Sequence, residues 1–157
     1  MKRFYALRIL LFTALAFLAD MKLSIHGFRP DLVSFMAYWF GYSRSSGGGM
    51  LYGAAIGAAE DSLYMGMLGP GMLSKGLIGF FASFLSRGFF RWTPLLGFFG
   101  AMALTLAGGF VELGVLSVFS QGAEGFSTGG LLVLLSQALL NGVLGIFLRP
   151  EIKERES

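Results

Sequence analysis

The chain lacks the groups that most often carry soluble chemistry. It has no cysteine, which excludes disulfides, iron–sulfur clusters and thiol catalysis. Its one histidine, His26, has no cysteine or second histidine with which to hold zinc, so neither a metal site nor a cofactor is expected. Charged residues make up only 13% of the 157 residues. Soluble domains carry roughly 25%, so this chain has too little solvating charge for a water-exposed globule, and too much apolar character for disorder. Twelve Lys+Arg against nine Asp+Glu leave a net charge of +3. The basic residues are scattered singly, so the excess reports membrane topology and no nucleic-acid partner is expected.

What is present is apolar and small. Hydrophobic residues reach 55%, with 24 glycines and 17 phenylalanines, and mean hydropathy is +0.70. Glycine is commoner in membrane helices than in soluble ones, and one crossing takes about 20 mostly apolar residues. Six apolar stretches, at 4–19, 30–42, 48–68, 71–86, 93–119 and 129–148, predict a single membrane domain over 1–157. The expected fold is an all-α, compact bundle of six transmembrane helices. Lys2 and Arg3 before an apolar run, with Ala14-Leu15-Ala16 after it, also fit a cleaved signal peptide; Arg8 interrupts that run, and a retained helix is preferred.

Placing the amino terminus inside puts Lys2, Arg3, Arg8, Arg44, Arg87, Arg91, Arg149, Lys153 and Arg155 in cytoplasmic segments. Only Lys22, Arg29 and Lys75 fall outside. That asymmetry obeys the positive-inside rule and leaves both termini cytoplasmic.

Ionisable groups within spans are costly, by about 2.5–3.5 kcal/mol on insertion scales, and usually face protein or water. Glu60, Asp61, Lys75 and Glu112 are such groups. Asp61 and Lys75 flank the tight Gly69-Pro70 connection at about 10 and 6 Å from the outer end, so a pair between them is expected. Glu60 is turned about 100° from Asp61 and reads as a bystander. Glu60, Asp61 and Glu112 together form either an outer acidic cluster that docks a partner or couples an ion, or acids snorkelling at the interface.

Small and polar residues recur at helical spacing: Gly53, Gly57 and Asp61; Lys75, Gly79, Ser83 and Arg87; Gly97, Ala101, Thr105 and Gly109; Gln137, Asn141, Gly145 and Arg149. Such stripes read as helix-packing faces, with a substrate path as the other reading. Phe80, Phe81, Phe84, Phe89 and Phe90 are expected to meet lipid or a partner helix. Gly47-Gly48-Gly49 lacks the trailing Gly-Lys-Ser/Thr of a phosphate loop and is read as a turn. No nucleophile elbow or positioned acid–base pair is found, so an enzyme is not expected.

Pro30-Asp31 opens the second span, Gly53, Gly57 and Asp61 follow at four-residue intervals in the third, and Gly66 or Gly69 precedes the fourth. Over about residues 28–85 this resembles the MreD family of rod-shape-determining membrane proteins. Pro70 and Lys75 stand outside the family's pattern. The resemblance implies a fold similar to the six-helix substrate-binding subunits of energy-coupling-factor transporters. It implies a bacterial inner-membrane scaffold with a coiled-coil MreC-like partner, the glycosyltransferase–transpeptidase pair of cell elongation and, indirectly, the actin-like MreB filament. In that setting Arg29, Pro30, Asp31, Glu60, Asp61, Lys75 and Glu112 are the candidate partner-binding or buried polar residues. Gly53, Gly57, Gly66, Gly97, Ala101, Gly109 and Gly145 are the candidate helix-packing residues. The competing reading is a vitamin-binding transporter subunit, with Trp39, Tyr64, Glu112 and Asn141 lining a pocket.

Overall fold

Helices begin where a side chain can take up the free N–H groups of a first turn, and this chain supplies such side chains at nearly every start. The computed structural model describes residues 11–19, 31–65, 68–86, 92–119 and 127–147. Among these the chain is entirely helical. Helix α1 covers residues 11–19, α2 Leu32–Tyr42, α3 Ser46–Glu60 with a π-helical turn continuing it over Asp61–Met65, α4 Pro70–Leu85, α5 Pro94–Phe119 and α6 Thr128–Phe147. Asp31 caps α2, accepting from Ser34 N–H at 2.8 Å. Ser45 caps α3, Thr93 Oγ1 accepts from Leu96 N–H at the start of α5, and Ser127 Oγ accepts from Gly130 N–H at the start of α6.

Each of the six described helices overlaps one of the six apolar stretches, α3, α4 and α6 starting one or two residues ahead of theirs, with one correction. Gly47, Gly48 and Gly49, expected to form a turn, are helical and open α3. The Ser45 cap compensates for poor glycine propensity, and Gly49 lies against the backbone of Gly79, where a side chain could not fit. The expected site residues Arg29, Pro30 and Gly66 lie outside the described residues, as do Arg87, Phe89, Phe90 and Arg149 from the stripes and faces above.

Glycine sets the packing. Going up α3, a Cβ on Gly49 would meet the Gly79 carbonyl, one on Gly53 the Lys75 carbonyl and one on Gly57 the Gly71 carbonyl. As α3 advances by four residues α4 retreats by four, so the two helices are antiparallel and in backbone contact for two turns. Gly41 brings α2 against the same Gly79. Helix α4 thus packs on α2 and α3, and on its other side on α5. Helices α5 and α6 form a second antiparallel pair through Gly97 and Gly145, each of which would place a Cβ on the other's carbonyl. The α5 stripe is buried at Gly97, Ala101 and Thr105, then continues at Gly108; Gly109 faces Leu134 of α6.

An apolar core is shared with several buried polar side chains, and many large apolar side chains face outward. The largest fully buried side chains include Tyr38, Lys75, Asn141, Thr105, Asp61 and Ser74, while Leu51, Leu63, Phe99, Val118, Phe119 and Phe147 face outward. Phe80, Phe81 and Phe84 are exposed, as expected for a face that meets lipid or another helix. Two helices, α5 and α6, are long and apolar enough to cross a membrane, and α4 is a shorter apolar helix. At about 1.5 Å per residue α5 runs to about 39 Å, longer than the about 30 Å of a hydrocarbon core, so spanning would tilt it.

Candidate functional site

The site lies near the end of the bundle where α3 gives way to α4. Two polar centres form there, and they divide the candidate acids differently from the sequence reading. The first is Asp61. Its Oδ2 accepts from Gly69 N–H at 2.8 Å and from Met72 N–H at 3.1 Å, and its Oδ1 from Gly71 N–H at 2.8 Å. Asp61 is fully buried and caps α4 from the preceding helix. The free N–H groups of a first turn otherwise lack partners, and this one carboxylate takes up three of them. Gly69, at φ +144°, supplies the left-handed turn that aims these donors back at Asp61, and Pro70 opens α4 where its missing N–H is harmless.

The second centre is Lys75. The expected Asp61–Lys75 pair does not form. Lys75 Nζ donates to Glu112 Oε2 at 2.7 Å, and Nζ also lies 2.8 Å from Glu60 Oε2. Glu60, read as a bystander, is therefore a partner. Register explains the difference. The Lys75 backbone is level with Gly53, eight residues and about 12 Å below Asp61 along α3. Helical side chains lean toward their own N-terminus, so Lys75 reaches up from α4 while Glu60 leans down from α3. They meet between the two levels, and Glu112 closes the site from α5.

The centre is buried at its cation and more open at its anions. The Lys75 side chain is 1% exposed, those of Glu60 and Glu112 16% and 18%. The one ammonium is thus shared by two carboxylates on different helices, which compensates for its burial.

A third contact joins the two halves of the bundle. Asn141 Nδ2 on α6 donates to the Asp31 carbonyl at 2.8 Å and to Thr105 Oγ1 on α5 at 3.1 Å. Asp31 therefore does two things, capping α2 with its carboxylate and holding α6 with its carbonyl. Glu112 and Asn141, candidate liners of one pocket, are each engaged in a different helix contact. The capping role of Asp61 was missed in the sequence; an acid eight residues ahead of a Gly-Pro helix start is the signal that could have found it. Among the described residues no group of three or more His, Cys, Asp or Glu is arranged to hold a metal ion.

No family model, curated protein or solved structure matches the chain. Among the described residues the fold is all-helical, with two helices long and apolar enough to cross a membrane.

Proposed function

We propose that the chain is a multi-pass scaffold of the bacterial inner membrane, of the MreD type, serving the rod-shape and elongation machinery. In this reading all six helices cross the bilayer, the bundle is similar to energy-coupling-factor substrate-binding subunits, and both termini are cytoplasmic. The scaffold links an MreC-like coiled-coil protein and, indirectly, the actin-like filament to the enzymes of lateral peptidoglycan synthesis.

The observation that carries the reading is what the motif residues do. Asp31, Gly53, Gly57, Asp61 and Gly69, the described positions on which the family resemblance rests, together lock α2, α3 and α4: two caps, two glycines against a neighbour's backbone and one left-handed turn. Residues spent on a rigid frame suit a protein that positions others. The engagement of Glu112 and Asn141 in separate helix contacts favours this over a ligand pocket shared between them. The test is twofold. Depleting the protein in its host should turn rods into spheres, and affinity purification of the full chain should bring down the coiled-coil partner. Unchanged rods, with no coiled-coil protein recovered, would end the proposal.

A further inference from the structure

We propose that the bundle is a two-body joint. The α5–α6 pair swings away from the α2–α4 unit at the end where α3 gives way to α4, with Lys75 and Asn141 as the latches. The joint goes beyond the scaffold reading and does not depend on it.

Contacts within each body and contacts between the bodies differ in kind. Inside the bodies, glycines set backbone against backbone. Gly49, Gly53 and Gly57 of α3 meet carbonyls of α4, Gly41 of α2 meets Gly79, and Gly97 and Gly145 join α5 to α6. Such surfaces leave no side chain free to repack, so each body moves as a unit. Between the bodies, α5 offers Gly100 and Gly108, and the nearest atoms they meet belong to side chains: Tyr38 at Gly100, Ile78 and Ser74 at Gly108. The hydroxyls of Tyr38 and Ser74 are buried at this seam without a hydrogen-bond partner among the described residues. The closed seam thus withholds partners that water supplies when it opens.

Each latch crosses the seam from a residue that also has a partner in its own body. Lys75 Nζ lies 2.7 Å from Glu112 of α5 and 2.8 Å from Glu60 of α3. Asn141 Nδ2 donates to the Asp31 carbonyl at 2.8 Å and to Thr105 Oγ1 of α5 at 3.1 Å. When the seam opens, Lys75 keeps Glu60 and Asn141 keeps Thr105, so neither is stranded. Glu112 is already 18% exposed and takes up water. Both latches lie toward the end where α2 and α4 begin. The chain passes from α4 to α5 at the other end, beside the edge-on contact of Tyr42 with Trp92 at 5.2 Å, so opening is widest at the latches. Two shapes let a partner that prefers one of them switch the bundle.

The chain has no cysteine, so a single introduced thiol reports on its own surroundings. Ser74→Cys places one at the seam. Ile56→Cys places one inside the α2–α4 unit, on α3, which packs on α2 and α4. The full chain is held in lipid nanodiscs, and each thiol is reacted with a small, uncharged methanethiosulfonate. The seam thiol should react about fivefold faster or better, because local opening needs less free energy than unfolding, although Ser74 is the more deeply buried residue, at 1% exposure against 6% for Ile56. Adding Glu112→Gln weakens a latch and should speed the seam thiol about fivefold or more. Adding Glu60→Gln removes the second partner of Lys75 and should slow it. A shift in thiol ionisation alone would move both variants the same way. Equal rates for the two thiols in the otherwise native chain overturn the proposal, as do changes of the same sign in the two glutamine variants. Acceleration of both thiols by Glu112→Gln marks an unfolded variant, and the comparison of the two thiols without it then decides.

Discussion

Lys75 on α4 and Glu112 on α5 are joined Nζ to Oε2 at 2.7 Å across 37 positions of the chain, and this bond ties the glycine-packed α2–α4 unit to the α5–α6 pair. Removing one partner of a buried pair costs about 3–5 kcal/mol because the other charge is stranded. Lys75→Met and Glu112→Gln should therefore be strongly non-additive, with a coupling of about 1–3 kcal/mol in reversible detergent unfolding. Lys75→Met with Asp61→Asn should add within about 0.5 kcal/mol, because these two residues belong to separate centres.

Asp61 collects three backbone donors on one carboxylate. Asp61→Leu should lower stability by about 2–4 kcal/mol, since hydrogen bonds to a charged group are worth about 1.5–3 kcal/mol and the stranded N–H groups add to the loss. Asp61→Asn keeps one acceptor and should lose about half as much. Thermal melts in detergent give the comparison.

The glycines divide into two classes by what a side chain would meet. Gly53→Val and Gly57→Val force α3 away from the α4 backbone and should cost about 1–3 kcal/mol or abolish folding. Gly47 and Gly114 have open space at the Cβ position, so Gly47→Ala and Gly114→Ala should stabilise by about 0.5–1 kcal/mol through helix propensity alone. The same unfolding assay reads both signs.

Gly69 also has open space beside it, yet its φ of +144° disfavours any L side chain. Gly69→Ala should cost about 1–3 kcal/mol through backbone strain, with no steric clash to relieve. A second substitution that enlarges nearby space should not rescue it.

Much of the fold was legible because hydropathy, glycine and proline mark helices one at a time. The stretches around α2, α4, α5 and α6 were found within one or two residues, and Gly53, Gly57 and Asp61 do share the face toward α4. What failed was register. Depth counted from a loop assumed that α3 and α4 end level at Leu68 and Gly71; instead α3 passes into a π-helical turn at Asp61–Met65, and Lys75 comes level with Gly53. Hydropathy carries no information on which residue of one helix lies beside which residue of the next. The individual acids were therefore recognisable as out of place in an apolar span, while their partners were not. The glycine triplet at Gly47–Gly49 misled for a related reason: its last member, Gly49, packs on Gly79, a contact 30 residues away in sequence.

The central claim is that this bundle holds other polypeptides together. Native mass spectrometry of the full chain, extracted from its own membrane in mild detergent, tests it most directly. The account expects a complex whose added mass is a coiled-coil membrane protein. A chain that flies alone, or with only a small metabolite bound, would contradict it.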